Sequence, residues 1–247
     1  MPECILSAVC SFPTVLDAVN TASQVLQSGV PIARIELLDE VTMDAVNKFS
    51  KLNKPVAPTL FLEFHGSENG AKEQVNVTSE IAVENKGSDF EWAETQEQQN
   101  HLWKARHDVL YALLALRPGT RAVSTDVCVP ISALPQAVTY AQSAVKESGL
   151  VAGILGHVGD GNFHCTLGID IESQEELSKV KKLSGDIAQF ALQLDGTCTG
   201  EHGIGIGKCY LLQEEVGSAG IGVMKSIKAS LDPQNLMNPG KVFECMP

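Results

Sequence analysis

The stretch that decides the fold is VAGILGHVGDGNFHCTLGI, residues 151–169. Two apolar, β-prone runs flank Asp160-Gly161, and an Asp-Gly pair between such runs is a strong signal for a two-residue hairpin turn. With the turn centred there, His157 faces His164, and directly opposed residues share one face of a sheet with Cβ atoms about 5 Å apart. We therefore predict strands at 151–158 and 162–169 that present two imidazoles to one metal ion; the alternative is two unrelated surface histidines beside a tight turn.

The segments around this hairpin repeat one order of elements. Hydrophobic periodicity and turn signals predict, in the first half, a strand at 4–12, a helix from the cap Thr14 to Gly29, a strand at 31–38, a helix at 40–51, a strand at 57–64, a helix at 68–85 and a strand at 89–92. After a helix at 94–116, the second half predicts a strand at 122–129, a helix at 132–148, the hairpin, and helices at 173–194 and 218–230. This order is the split ferredoxin-like one. We predict an α+β fold: an antiparallel sheet built from two ferredoxin-like halves with helices on one face, plus a C-terminal helical tail.

Composition excludes several classes of protein. The 247 residues carry a net charge of −12, scattered along the chain, which disfavours nucleic acid as a partner. No run of about 18 apolar residues predicts a transmembrane segment. The seven cysteines are odd in number and lack a C-x-x-C pair, which indicates free thiols in a reducing compartment. The first residues have no presequence character, so we interpret the chain as the middle of a longer protein.

A glycine-rich segment stands where the last strand of the second half is expected. GTCTGEHGIGIGK, residues 196–208, has too many glycines for a strand interior. Within it, Glu201 could complete a two-histidine, one-carboxylate site suited to Zn, Fe or Mn, with His202 beside it as a proton acceptor. A flexible loop with a solvated Glu-His pair is the alternative. A nucleotide loop is excluded, because a P-loop needs glycine at position 202.

Arg106 is the third candidate functional residue. It shares one stripe of the predicted helix with Leu102, Leu110 and Leu113. An arginine there either extends to the surface or directs its guanidinium at an anion.

Four motifs taken together resemble one known family. GHVGDGNFH, GEHGIGIGK, WKARH at 103–107 and LMNPGKVF at 236–243 resemble the FAD-linked oxidase C-terminal domain of the vanillyl-alcohol-oxidase-like flavoproteins. This family includes D-lactate, D-2-hydroxyglutarate and glycolate dehydrogenases, and the resemblance extends over essentially the whole chain. Stretches such as ARIELLDEVTMDAVNKFSKLN at 33–53 are similar to its mitochondrial D-lactate dehydrogenase branch, which passes electrons to cytochrome c.

The resemblance implies roles for individual residues. It implies metal ligation by His157, His164 and Glu201, a catalytic base at His202, substrate-carboxylate binding by Arg106, and flavin or substrate contacts, or turns, at Asn162 and Asn238. It implies a divalent metal, Zn or Mn, and FAD held mainly by a domain outside this chain. Residues 1–210 would be the substrate- and metal-binding domain, and residues 211–247 a C-terminal helix and tail that pack on the flavin-binding domain.

The resemblance also implies an activity. The expected reaction is oxidation of a D-2-hydroxy acid, D-lactate to pyruvate, with hydride transfer to FAD and cytochrome c as acceptor, in the mitochondrion. Leu110, Ser124 and Thr166 stand where the hydroxyglutarate branch has threonine, lysine and asparagine, and the missing lysine argues for a small or apolar substrate. The alternatives are a D-2-hydroxyglutarate or glycolate dehydrogenase, a metallohydrolase, and a non-catalytic metal-binding fragment.

Overall fold

Residues 2–93 and 95–243 are described by a computed structural model of the chain. Its strands are β1 Cys4–Ser11, β2 Arg34–Leu38, β3 Thr59–Gly66, β4 Glu91–Ala93, β5 Arg121–Ser124, β6 Val127–Cys128, β7 Ala152–Gly156 and β8 Asn162–Ile169. Its α-helices are α1 Val15–Gln27, α2 Glu40–Ser50, α3 Glu68–Glu84, α4 Gln96–His107, α5 Val109–Ala115, α6 Leu134–Ser148, α7 Gln174–Gln193 and α8 Cys209–Leu231. None of the helices in these ranges is long and apolar enough to cross a membrane.

One eight-stranded sheet organises the chain, in the order β4-β1-β3-β2-β7-β8-β5, with β6 also paired to β8. Every registered strand pair is antiparallel. The first four strands have the ferredoxin-like order, and β7-β8-β5 follow the same order in the second half. The two halves join through β2 and β7. The predicted α+β fold of two related halves is confirmed.

The second half has replaced its last strand by a loop, as the glycine content predicts. By analogy with β4 beside β1, the missing strand belongs beside β5 and β6. One residue of the loop occupies that place: Thr197 forms an isolated antiparallel bridge with Cys128. The glycine-rich segment that follows is thereby anchored at the edge of the sheet.

Helices cover both faces of the sheet, so the prediction of helices on one face is wrong. Helices α1, α3, α6 and α7 pack against one face around Leu37, Leu62 and Ile154. Helices α2, α4 and α5 cover part of the other face around Leu38 and Phe61. The strands of the first half are apolar at successive positions, which is typical of a sheet buried on both sides.

The hairpin register differs from the predicted one by two residues. His164 pairs with Leu155 rather than with His157, and residues 157–161 form the connection. The connection is held from outside the hairpin, because Gly161 accepts a hydrogen bond from the Val129 N–H. A shift of two residues preserves the side-chain alternation, so both histidines stay on one side of the sheet.

Two predicted elements are interrupted. The helix predicted at 94–116 breaks at Asp108 into α4 and α5, and the strand predicted at 122–129 breaks at residues 125–126. The last helix agrees with the predicted 218–230 at its end but begins earlier, at Cys209. A kink at Gly217, φ 67°, ψ 176°, a conformation that glycine adopts without steric cost, separates the added residues from the predicted ones. The other bounds agree with the prediction within three residues.

The predicted free thiols are confirmed in part. Five cysteines are free: Cys4, Cys10, Cys128, Cys165 and Cys198. Cys209 is disulfide-bonded, so the prediction is wrong there. Cys245 and the end of the predicted 211–247 tail, residues 244–247, lie outside the described residues.

Candidate metal centre and active site

The two hairpin histidines lie together at one end of the sheet. His164 is buried in β8, whereas His157 lies in the connection with 36% of its side chain exposed. Their rings meet edge to face, with centroids 5.9 Å apart. The pair predicted from the sequence therefore exists, although its members are not directly opposed.

The carboxylate of Glu201 completes a group of three metal-ligating side chains. Its Oε1 lies 3.0 Å from Nε2 of His164 and 3.6 Å from Nε2 of His157. Ligand bonds of about 2.0–2.1 Å at a tetrahedral angle separate ligand atoms by about 3.3 Å. Both distances are close to this value, and the ligand atoms of all three side chains lie within 4.8 Å of one another, so they can share one ion.

The far nitrogen of each ring is held by an acceptor. Nδ1 of His157 bonds Oε1 of Glu36 at 2.8 Å, and Nδ1 of His164 bonds the carbonyl oxygen of Thr125 at 3.0 Å. A carbonyl can only accept, so Nδ1 of His164 carries the hydrogen and its Nε2 lone pair faces Glu201. Metal-binding histidines are commonly oriented in this way.

The protonation of His164 also favours a cation between the ligands. Burial lowers the pKa of His164 and so favours the neutral ring. A neutral Nε2 lone pair 3.0 Å from the Glu201 carboxylate is repulsive unless a cation lies between the two atoms. The hydrogen bond that the half-exposed His157 donates to Glu36 instead raises the pKa of His157. The donor set and its electrostatics therefore fit a divalent metal ion.

A buried carboxylate positions the loop that carries Glu201. The side chain of Asp126 is fully buried. Its Oδ2 accepts backbone N–H bonds from Gly200 at 2.9 Å, Glu201 at 3.1 Å and His202 at 2.9 Å, and a hydroxyl bond from Thr199 at 2.8 Å. Successive N–H groups that converge on an anion form a nest. The glycine-rich loop thus binds an internal carboxylate, in agreement with the exclusion of a nucleotide loop.

Lys208, at the C-terminal end of this loop, also binds near Asp126. Its ammonium donates to the backbone carbonyls of Asp126 at 2.6 Å and Cys198 at 2.7 Å. Burial would raise the pKa of the Asp126 carboxyl, but the bonds from His202, Asn162 and Thr199 outweigh it and hold that pKa far below its usual range. Asp126 is therefore an ionised anchor of the loop.

A second group of side chains, Asp126, His164 and His202, also has metal-ligating atoms close together. It is the weaker candidate, because the oxygens of Asp126 already accept several hydrogen bonds. In addition, the His164 nitrogen that lies near Asp126 is Nδ1, which already bonds the carbonyl oxygen of Thr125.

His202 lies on the open side of the candidate metal centre. Its ring stacks on His164 with centroids 4.9 Å apart and planes 14° from parallel. Its Nε2 is 3.8 Å from Oε1 of Glu201, and about half of its side chain is exposed. A histidine that is close to the ligands and open to a substrate has the position of a proton acceptor.

Arg106 points inward, in the last turn of α4. Its side chain is 11% exposed and donates from NH2 to Oε2 of Glu36 at 3.0 Å. Its Nε is buried without a partner among residues 2–93 and 95–243. The alternative in which this arginine extends to the surface is therefore wrong, and its guanidinium retains donors for an anion.

The two candidate asparagines differ in burial. Asn162 is buried and donates its Nδ2 to Asp126 and Val127, both at 2.9 Å. Its Oδ1 has no partner within the described part of the chain. Asn238 is exposed, in the left-handed region at φ 48°, which agrees with a turn. Contacts of either residue with flavin or substrate stay predictions.

Three residues that support the site were missed by the sequence analysis. They are Glu36, Asp126 and Lys208. A signal existed for two of them, because a charged residue inside a predicted strand, as in RIELL at 34–38 and STDVCV at 124–129, needs a partner when buried. Nothing in the sequence names those partners, which lie 36 or more positions away.

Comparisons with known proteins agree with this fold. The chain is 57% identical to the probable mitochondrial D-lactate dehydrogenase of Danio rerio, over 99% of this chain and 49% of the relative. It is 42% identical to the mitochondrial D-lactate dehydrogenase [cytochrome] of Arabidopsis thaliana, over 98% of this chain and 43% of the relative. The solved 4-ethylphenol oxidase of Gulosibacter chungangensis shares the fold, with a TM-score of 0.73 at 14% identity over 98% of this chain and 54% of that one.

The same comparisons show how much of the relatives the chain covers and to which family it belongs. It spans about half the length of the curated relatives that it matches. The sequence profile of the FAD linked oxidases, C-terminal domain, matches residues 1–242. The chain belongs to the FAD-linked oxidase C-terminal domain family.

Proposed function

We propose that this chain is the substrate- and metal-binding half of an FAD-dependent D-2-hydroxy-acid dehydrogenase that oxidises D-lactate to pyruvate. One observation carries the proposal: Glu36 joins the candidate ligand His157 to the inward-pointing Arg106. A metal centre and a carboxylate-binding group are thereby held side by side, as a 2-hydroxy acid requires. The D-lactate dehydrogenases among the relatives support the same substrate.

His157, His164 and Glu201 would hold the metal, Zn or Mn. When bound, FAD would accept the hydride that leaves C2, and the divalent ion would polarise the 2-hydroxyl as a Lewis acid. Arg106 binds the substrate carboxylate through its guanidinium donors. Nε2 of His202, the ring nitrogen near Glu201, takes the hydroxyl proton.

The hydroxyl residues that stand where the hydroxyglutarate branch has lysine and asparagine favour a small substrate. The hydroxyls of Ser124 and Thr166 lie 2.6 Å apart and bond one another. Neither supplies a positive charge, and a second carboxylate buried against them would lack a partner. We propose a monocarboxylate over 2-hydroxyglutarate on this ground; glycolate remains an outcome of the substrate test.

The end of the chain supports a second proposal, on domain organisation. Residues 1–210 would form the substrate- and metal-binding domain, and residues 211–247 would pack on a flavin-binding region outside this chain. The last turns of α8 and the following residues expose a row of large apolar side chains: Val223, Ile227, Leu231, Leu236 and Met237. Such a row is typical of an interaction surface. The names of the relatives support a cytochrome acceptor and a mitochondrial location.

Flavin reduction tests the proposed function. The full-length protein that carries this chain, loaded with FAD and Mn²⁺, is mixed with D-lactate, L-lactate, glycolate or D-2-hydroxyglutarate in the absence of oxygen. Bleaching by D-lactate that a chelator abolishes is the expected result. Absence of bleaching with every acid, or bleaching that a chelator leaves unchanged, would contradict the dehydrogenase or its metal, respectively.

A further inference from the structure

Glu36 lies between two parts of the candidate site. It lies in the middle of β2, with 14% of its side chain exposed. One oxygen, Oε1, bonds Nδ1 of His157 at 2.8 Å, and the other, Oε2, bonds NH2 of Arg106 at 3.0 Å. A single buried carboxylate therefore contacts a candidate metal ligand and the candidate substrate-binding arginine at once.

The contact with His157 decides which ring nitrogen is free. A carboxylate accepts hydrogen bonds, so it stabilises the tautomer with the hydrogen on Nδ1 and leaves the Nε2 lone pair toward Glu201. His164 has the same arrangement with the neutral carbonyl of Thr125. His157 lies in a connection rather than in a strand, so its orientation depends more on this side-chain contact.

We infer that Glu36 is a positioning residue that sets the metal-binding tautomer of His157 and, through its second oxygen, makes that setting depend on Arg106. The inference rests on the proposed function, since it assumes that His157 is a metal ligand. It adds that the metal centre and the substrate-binding arginine share one orienting carboxylate.

Arg106 makes the replacement Glu36→Gln informative. The glutamine amide has one accepting oxygen and one donating NH₂ group. The Arg106 guanidinium has only donors, so it requires the amide oxygen. The amide oxygen therefore faces Arg106, and the amide NH₂ faces Nδ1 of His157. The hydrogen of His157 then moves to Nε2, the atom that the metal needs.

The neighbouring strand provides a matched control. Glu63 in β3 is buried and also joins a histidine to an arginine: its Oε1 is 2.8 Å from Nε2 of His65 and 3.6 Å from Nε of Arg34. Neither partner belongs to the candidate metal centre. Glu63→Gln thus removes an equivalent buried charge without altering the proposed ligands.

Mn²⁺ affinity is measured in the full-length protein without substrate, from the electron paramagnetic resonance signal of the free ion. We expect Glu36→Gln to weaken binding by about 10–100-fold, the usual effect of losing a group that orients a metal ligand. Glu63→Gln is expected to stay near the wild-type value. The nitrogen chemical shifts of His157 in metal-free protein are expected to change from the Nδ1–H to the Nε2–H pattern in Glu36→Gln only.

A double variant tests the dependence on Arg106. In Glu36→Gln/Arg106→Met the amide oxygen is free to face His157, so the Nδ1–H tautomer and much of the Mn²⁺ affinity should return. Equal affinities of Glu36→Gln and Glu63→Gln, an unchanged tautomer, or no recovery in the double variant would overturn the inference. Flavin bleaching by D-lactate in the wild-type protein is a separate measurement, and it would still support the proposed function in that case. A wild-type protein that binds no Mn²⁺ would overturn both the inference and the proposed metal centre.

Discussion

The buried carboxylate of Asp126 accepts the backbone N–H of His202 at 2.9 Å, although 76 positions separate the two residues in the sequence. The same oxygen accepts the N–H groups of Gly200 and Glu201. A candidate ligand and a candidate base are thus placed by one anchor, which binds their backbone N–H groups. The main chain of this loop is ordered by a charge from a different part of the sheet.

Replacement of this anchor should loosen the loop. In the wild-type protein the N–H groups of the loop donate to the Asp126 carboxylate. In Asp126→Asn the amide NH₂, itself a donor, would face some of these N–H groups, so we expect Mn²⁺ affinity and turnover each to fall tenfold or more. Amide hydrogen exchange at residues 200–202 should become faster. Asp39→Asn is the control, because Asp39 is also buried and accepts two backbone N–H bonds, from Thr42 and Ile154. Unchanged exchange at 200–202 in Asp126→Asn would refute the anchoring role.

The glycine-rich loop approaches Asn162 closely at Gly200 but has open space at Gly207, so alanine at these two positions should have different effects on turnover. A Cβ atom at Gly200 would lie 1.8 Å from Nδ2 of Asn162, whereas one at Gly207 would meet nothing within 4 Å. Gly200→Ala must therefore displace the loop, and a displacement of about 1 Å can cost about a hundredfold in turnover. Gly207→Ala should be close to wild type. The kcat of both variants checks this, and similar values would contradict it.

Arg106→Lys should impair substrate binding. Lysine cannot present the planar pair of donors that suits a carboxylate, so we expect KM for D-lactate to rise tenfold or more. Arg117→Lys is the control, because Arg117 forms a comparable pair with Glu176 at the surface. Steady-state kinetics measure KM for D-lactate in both variants. An unchanged KM in Arg106→Lys would remove this residue from the substrate site.

His202→Ala should separate catalysis from metal binding. Alanine keeps the backbone N–H bound to Asp126, so the loop and Mn²⁺ affinity should change little. Turnover should fall by about a hundredfold, the usual effect of losing a general base. His101→Ala, at an exposed position of α4, is the control. Near-normal turnover of His202→Ala would exclude this residue as the base.

Metal affinity should depend on pH through His157. The metal needs both imidazoles neutral, and protons compete with it wherever a ring is charged. Because Glu36 raises the pKa of His157, affinity should begin to fall, as the pH is lowered, above the usual range of imidazole. Burial lowers the pKa of His164, so its competition adds only at lower pH. Isothermal titration across pH measures this, and affinity that rises toward acid would contradict it.

Much of the fold could be predicted from local sequence. The alternation of apolar residues and the turn residues predict the order of elements, and Thr14 caps α1 as expected. The predicted register of the hairpin was wrong, because the connection is held by a hydrogen bond from the Val129 N–H and not by the Asp160-Gly161 turn alone. The break at Asp108 was likewise missed, since the sequence there has no glycine or proline.

The sequence by itself determined which chemical groups are available: two histidines near a turn, a Glu-His pair among glycines, and an arginine on an apolar stripe. Only the tertiary structure decided how they are oriented, because the atoms that orient them come from β2 and from the break after β5. Glu36 lies 121 positions from His157, and Asp126 lies 74 positions from Gly200. Hydrogen bonds act over about 3 Å in space, so partners far apart in sequence meet only once the sheet has formed.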